Sequence, residues 1–188
     1  MTTVYLVRHA TPDWSRTEIR YDIPPGPPLT PQGEAEAAQL GAFLRENGVQ
    51  RLYSSPLERA RRTAEIAAGI AEADVMEAEA IAEWQRGELE SAVLERFLPF
   101  WTASTLESAA TGAVVLVSHG GPIRLMLEHL GVDRNELLFY RKQFDRDNPL
   151  PPAGAWRVSR PHAAVAWQIE LAFTPQSFRR YEPQTVVV

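Results

Sequence analysis

The chain has 188 residues, 45% apolar and 23% charged, a balance that excludes a disordered chain and supplies enough apolar side chain for a sizeable core. The length fits a single domain over 1–188, and no composition shift or linker suggests cutting it. The absence of cysteine excludes disulfides, thiolate metal sites and cysteine nucleophiles, and a net charge of -5 argues against broad binding to nucleic acid, which needs clustered Lys and Arg.

MTTVYLVRHA at the start lacks the basic region, apolar stretch and cleavage pattern of a signal peptide, and no apolar run approaches the roughly 20 residues that span a bilayer. The expected location is therefore the cytoplasm, with no membrane partner.

TVYLV at 3–7 is short, apolar and β-branched, as a buried parallel strand is. Residues 22–31 hold five of the 15 prolines and must be loop. Thr30-Pro31 is a helix start, with proline at the first helical position, and Gly48 is placed to end that helix in a left-handed conformation. Ala37, Leu40, Phe43 and Leu44 recur at helical spacing as its inner face. RLYS at 51–54 reads as a second strand. Ser55 and Glu58 have capping-box spacing, predicting a second helix from there to about Ala71. A third strand is expected at 75–79, a helix at 90–110, a fourth strand at 113–118 and a helix at 122–130. Residues 146–154 read as loop, and 164–173 as a long strand pairing near Trp156. Strands alternating with helices predict an α/β fold, a three-layer α/β/α sandwich around a mostly parallel sheet.

In open sheets of this kind ligands bind beyond the carboxyl ends of the strands, and the unusual residues fall there. The first strand delivers Arg8-His9 and the second Ser54-Ser55, with Arg59 in the first turn of the next helix. Glu83 follows the third strand, and Ser118-His119-Gly120-Gly121 closes the fourth. Arg59 lies off the buried face marked by Ala60, Ala64 and Ala67 and can point toward the strand ends; the alternative is a solvated helix arginine like Arg61 or Arg62. Glu79, Glu88, Glu90 and Asp13 are the competing carboxylates near Glu83. His129 and His162 have no partners at metal-ligand spacing and read as surface or packing residues, so no metal and no cofactor are expected. Among the tryptophans, Trp84, Trp101, Trp156 and Trp167 read as packing residues, and Trp14 as one that lines the pocket.

LVRHA, LTPQG, SSPLERARRTAE, the Glu83–Gly87 segment and VSHGG resemble the successive motifs of the histidine phosphatase superfamily, the phosphoglycerate-mutase-like group, over residues 4 to about 131. The resemblance implies that neutral His9 attacks phosphorus and that Arg8 and Arg59 grip the phosphoryl oxygens. It implies a protonated His119 as a further donor, aided by N–H groups near Gly120, and Glu83 as the acid for the leaving oxygen and then the base for water. The expected activity is metal-independent hydrolysis of a small phosphorylated substrate. Ala10, Pro12 and Ser15 stand where members often carry glycine, a hydroxyl residue and asparagine, so Thr11 or Ser15 is expected to supply the missing phosphate contact. Glu90-Ser91 is a milder departure from the usual E-G pair.

The alternatives are a mutase, a protein phosphohistidine phosphatase and a non-catalytic phosphate-binding module. Arg16, Arg20, Arg86, Arg141, Lys142 and Arg146 are candidates to read a second anionic group, from loops at 10–29, 84–110 and 141–155. Thr185-Val186-Val187-Val188 is expected to close the sheet's own edge, with a homodimer left open.

Overall fold

The computed structural model describes residues 1–144, 147–178 and 185–187. The described strands form one seven-stranded sheet in the order β3-β2-β4-β1-β5-β6-β7. β1 (Thr2–Arg8) and β4 (Val114–Ser118) are buried throughout, as their unbroken apolar runs require for strands covered on both faces. They pair in parallel, as do β4 with β2 (Arg51–Ser54) and β2 with β3 (Asp74–Glu77). β5 (Ala155–Arg160), β6 (Gln168–Phe173) and β7 (Thr185–Val187) extend the sheet antiparallel beyond β1. The parallel expectation thus holds for the four strands leading to the candidate site. β7 occupies the edge expected of the C-terminal valines, Val188 lying outside the described residues.

Alternation along each strand sends side chains to two helical layers. Tyr5, Val7, Leu52, Val115 and Val117 pack under α1 (Pro31–Glu46) and α2 (Glu58–Ala71), whose inner faces present Ala37, Leu40, Leu44, Ala60, Ala64 and Ala67. Val4, Leu6, Val114, Leu116 and Trp156 face the other way, toward Phe97 and Trp101 of α3 (Glu90–Thr111), Ile123 and Met126 of α4 (Gly120–His129), and Leu137 and Tyr140 of α5 (Arg134–Arg141). Burial of each large apolar side chain contributes about 1.5–3 kcal/mol.

Thr30 caps α1 by accepting a hydrogen bond from the Gly33 amide at 3.0 Å, and Gly48 follows its end at φ +65. The second cap differs from expectation. Leu57, without a side-chain cap, precedes α2; the Ser55 hydroxyl accepts from the Leu57 amide at 3.4 Å and from His119, and so does not reach the first amides of the helix. The long strand expected at 164–173 begins only at Gln168. Gln168 pairs with Ser159 near the end of β5, so residues 164–167 lie in the connection and have no strand to join. Pairing near Trp156 is as expected, with Leu171 opposite it. α5 was not foreseen.

Candidate active site

Hydrogen bonding between strands brings Arg8, Ser54 and Ser118 to one end of the sheet, and the chain turns there into the candidate site. The His9 amide donates to the Ser118 carbonyl at 3.0 Å, and its own carbonyl accepts from Ala153 at 3.2 Å. The next residue is pinned as well: the Ala10 amide donates to the Thr63 hydroxyl, which in turn donates to the Arg59 carbonyl. His9, Arg59 and His119 are fully buried, and Arg8 and Glu83 nearly so. Five polar side chains are sustained in the interior because they bond to one another or to main chain.

His9 Nδ1 lies 2.7 Å from the Ala10 carbonyl oxygen. A carbonyl only accepts, so Nδ1 carries the hydrogen. Burial, followed by the charges of Arg59 and Arg8, holds this imidazole well below its ordinary range, leaving it neutral with a lone pair on Nε2. That nitrogen faces the Tyr21 hydroxyl at 3.2 Å.

Arg59 joins the other groups. Its NH2 lies 3.2 Å from Glu83 Oε2 and 3.1 Å from His119 Nδ1, and its NH1 donates to the Tyr21 carbonyl at 2.9 Å. Its buried Nε has no hydrogen-bond partner among the described residues, leaving a donor for a phosphoryl oxygen. Arg8 NH1 donates to the Leu150 carbonyl at 3.2 Å.

In this structure the surroundings of His119 favour the neutral ring over the expected protonated one. Burial, then Arg59, His9 and Arg8, lower its pKa well below the ordinary value. Glu83 Oε2 is 3.3 Å from Nδ1, which taken alone would favour protonation, but the Arg59 NH2 reaches both groups with its two hydrogens. Nδ1 therefore accepts from Arg59, and the Nε2–H donates to Ser55 Oγ at 2.8 Å. The His9 and His119 rings lie 5.1 Å apart.

Glu83 is set by its surroundings. Oε1 accepts from the Trp84 amide at 2.9 Å, and Arg96 of α3 holds the segment by donating to the carbonyls of Ala80, Ala82 and Glu83 while pairing with Glu88. Of the competing carboxylates, Glu88 is thereby committed to Arg96 and Glu90 to Arg124.

Gly120 opens α4 immediately after His119, placing a helix N-terminus beside the cluster. A Cβ there would stand 1.5 Å from Asn148 Oδ1, so any other residue would have to displace that side chain.

Two expected phosphate ligands are otherwise engaged. The Thr11 hydroxyl and amide both donate to the buried Glu36 carboxylate at 2.8–3.0 Å. Ser15 is exposed and donates its hydroxyl to Asp13 at 2.6 Å. Pro12 forms a bridge with Leu29 that holds the loop's two arms together. The structure thus brings together Arg8, His9, Arg59, Glu83, His119 and Gly120, and turns Thr11 and Ser15 away.

A cleft of about 750 Å³ adjoins the cluster, lined by Arg20, Tyr21, Asp22, Trp84, Gln85 and Arg86. Arg20, which pairs with Asp22, and Arg86 are thus at its wall, while Arg16 pairs with Glu18 and Arg141 with Asp147; Arg146 lies outside the described residues. Trp84 lines the cleft instead of the core, and Trp14 stacks on Tyr21 at 4.8 Å. Tyr21, Glu36, Thr63 and Arg96 escaped sequence reasoning because each works through contacts distant along the chain. Among the described residues no group of three His, Asp or Glu side chains is arranged to hold a metal ion, and no helix is long and apolar enough to cross a membrane.

A buried histidine whose Nε2 meets only a tyrosine hydroxyl among the described residues, two arginines, a second histidine and a carboxylate thus converge beyond the ends of parallel strands. Residues 4–95, just under half of the chain, match the family model of the histidine phosphatase superfamily, branch 1, which supports the resemblance to that superfamily. It is 38% identical over 91 residues to proteins named probable phosphoglycerate mutase GpmB from Escherichia coli O6:H1 and Escherichia fergusonii. That match covers 48% of this chain and 42% of each relative, so the aligned part spans less than half the length of these curated relatives. In structure the chain is similar to a phosphoglycerate mutase from Bacillus anthracis str. Sterne, with TM-score 0.68 and 17% identity over 84% of this chain and 87% of that one. It is also similar to a mycobacterial glucosyl-3-phosphoglycerate phosphatase, with TM-score 0.67 and 19% identity over 91% and 98%. At these identities the structural likeness establishes the fold.

Proposed function

We propose that the chain is a metal-independent phosphomonoester hydrolase that passes the phosphoryl group of a small metabolite through a covalent phosphohistidine on His9. The carrying observation is the His9 tautomer: Nδ1 is tied to a carbonyl, and burial beside two arginines keeps Nε2 unprotonated.

In the first half-reaction the phosphoryl group draws Arg59 away from Glu83, which takes up a proton from the monoanionic substrate; the Nε2 lone pair then attacks phosphorus, the phosphorus–oxygen bond to the leaving group breaks, and Glu83 gives that oxygen its proton. Arg8 and Arg59 hold the equatorial oxygens, with preorganised charge where the transition state develops it. A phosphoryl group beside His119 supplies the negative charge that favours its protonated form, so His119 acts as a cationic donor in the substrate complex. In the second half-reaction Glu83 takes a proton from water, the water oxygen bonds phosphorus, and the phosphorus–nitrogen pair returns to Nε2.

The relatives' name raises the mutase as a second reading. Hydrolysis is favoured because the exposed Gln85 and Arg86 line the adjoining cleft, giving water a way to Glu83.

The test is hydrolysis of an aryl phosphate in EDTA by wild type and His9→Ala, followed by a screen of phosphorylated metabolites that includes phosphoglycerates. Activity that survives EDTA and is lost in His9→Ala supports the reading. Equal activity in both proteins removes His9 as nucleophile, and isotopic phosphate appearing in an isomer instead of in solution makes the protein a mutase.

A further inference from the structure

The Tyr21 side chain touches the same three groups that the proposed chemistry assigns to the phosphoryl group. Its hydroxyl is 3.2 Å from His9 Nε2, within the range at which a reacting phosphorus must sit to be attacked. The guanidinium carbon of Arg59 lies 3.6 Å from the centre of its ring. Burial, reinforced by the charge of Glu83 and a hydrogen bond to it, pushes the phenol up to about 12, so it stays protonated, with His9 Nε2 and the Glu83 carboxylate as the two acceptors for its one hydrogen. Nucleophile, clamp and acid are thus all in contact with one neutral side chain.

We propose that Tyr21 is a placeholder and admission residue, whose phenol holds the position of the phosphoryl group and must swing out as an anionic phosphoryl group arrives. The proposal rests on the phosphoryl site described above. Arg59 anchors the backbone by donating to the Tyr21 carbonyl, so the movement belongs to the side chain. The ring already borders the 750 Å³ cleft and stacks on Trp14 on its outer side, giving it a place to go and an optical reporter of its position. An anion displaces the phenol only by bonding Arg59 more strongly than the aromatic face does, and the charge-assisted hydrogen bonds of a phosphoryl group meet that condition. A neutral hydroxyl compound does not.

The experiment measures orthovanadate binding to wild type, Tyr21→Phe and Tyr21→Ala by calorimetry, and its rate by stopped-flow tryptophan fluorescence, with Trp14→Phe to assign the signal. We expect affinity to rise by about tenfold or more in Tyr21→Ala, with Tyr21→Phe between, because the binding-competent fraction no longer limits it. The wild-type rate should level off with vanadate concentration, at the rate of phenol release, and that of Tyr21→Ala should stay linear.

Tyr21→Phe retains the ring that packs on Arg59 and Trp14, so a folding defect in Tyr21→Ala does not spare the proposal. Binding to both Tyr21 variants no tighter than to wild type overturns it without overturning the hydrolase reading, which the His9→Ala comparison tests separately. Tighter binding with no hydrolysis of any ester supports the placeholder and overturns the hydrolase. Failure of all three proteins to bind vanadate overturns both.

Discussion

The Arg59 guanidinium lies 3.2 Å from the Glu83 carboxylate, so the group assigned to grip phosphate and the group assigned to protonate the leaving oxygen form one buried ion pair. Removing either partner leaves the other charge uncompensated in the interior. Arg59→Ala should cost about 3–5 kcal/mol of stability as well as activity. Arg59→Met, close in volume, should lose as much activity. Denaturant titration beside steady-state kinetics separates the two effects, and an Arg59→Met protein with wild-type kcat/KM would remove Arg59 from the cradle.

Glu83→Gln preserves the shape of the side chain and removes its proton-transfer capacity. Activity toward alkyl phosphates should fall by about 10²–10⁴-fold. Nitrophenyl phosphate, whose leaving oxygen needs little proton assistance, should lose less in the first half-reaction. A uniform loss across leaving groups, measured in the pre-steady state, would contradict the acid role.

Arg96 is a positioning residue. It ties the carbonyls on either side of Glu83 to α3, and its loss leaves those acceptors and Glu88 without their donor. Arg96→Met should destabilise the fold by about 1–3 kcal/mol. It should also reproduce the leaving-group dependence of Glu83→Gln, with Arg96→Lys recovering only part. A purely structural role would lower stability without changing that dependence.

The two buried histidines make stability depend on pH. In the folded chain both pKa values lie well below the 6.5 that an exposed imidazole shows. Below about 6.5 the unfolded chain therefore binds protons that the folded one refuses, so stability falls as the pH drops through that value toward the depressed folded ones. Above it these groups contribute no slope. Each histidine adds at most about 1.4 kcal/mol per pH unit. Chemical denaturation between pH 5 and 7.5 should show this fall in wild type and a shallower one in His9→Asn and His119→Asn; equal slopes would contradict it.

The strands that build the site were legible because β1 and β4 each hold a continuous apolar run, with Arg8 ending β1 and His9 and His119 following their strands directly; Glu83 lies further on, past a 3-10 turn at Glu79–Ile81, and was legible from its motif. Arg59 was legible because it lies off the alanine face of α2. The Ser55 cap misled because α2 begins at Glu58, so the hydroxyl meets the Leu57 amide ahead of the helix while also binding a tertiary partner, His119. The Thr11 and Ser15 expectations failed for the same reason, since Glu36 and Asp13 bind those hydroxyls. α5 did carry a readable signal: Asp133 caps it by accepting from the amides of Asn135 and Glu136. With only 8 residues, its periodicity was too short to stand out. Tyr21 left no mark in the sequence, because a proline-rich loop has no period from which to infer what it covers.

The central claim is a covalent bond between phosphorus and His9. Wild type mixed with a phosphate ester in EDTA, quenched within milliseconds in base and analysed by mass spectrometry, should carry one acid-labile, base-stable phosphate on the peptide containing His9, formed before product phosphate and absent from His9→Ala. Steady turnover with no such adduct at any quench time, or an adduct that persists in His9→Ala, would contradict the phosphohistidine mechanism.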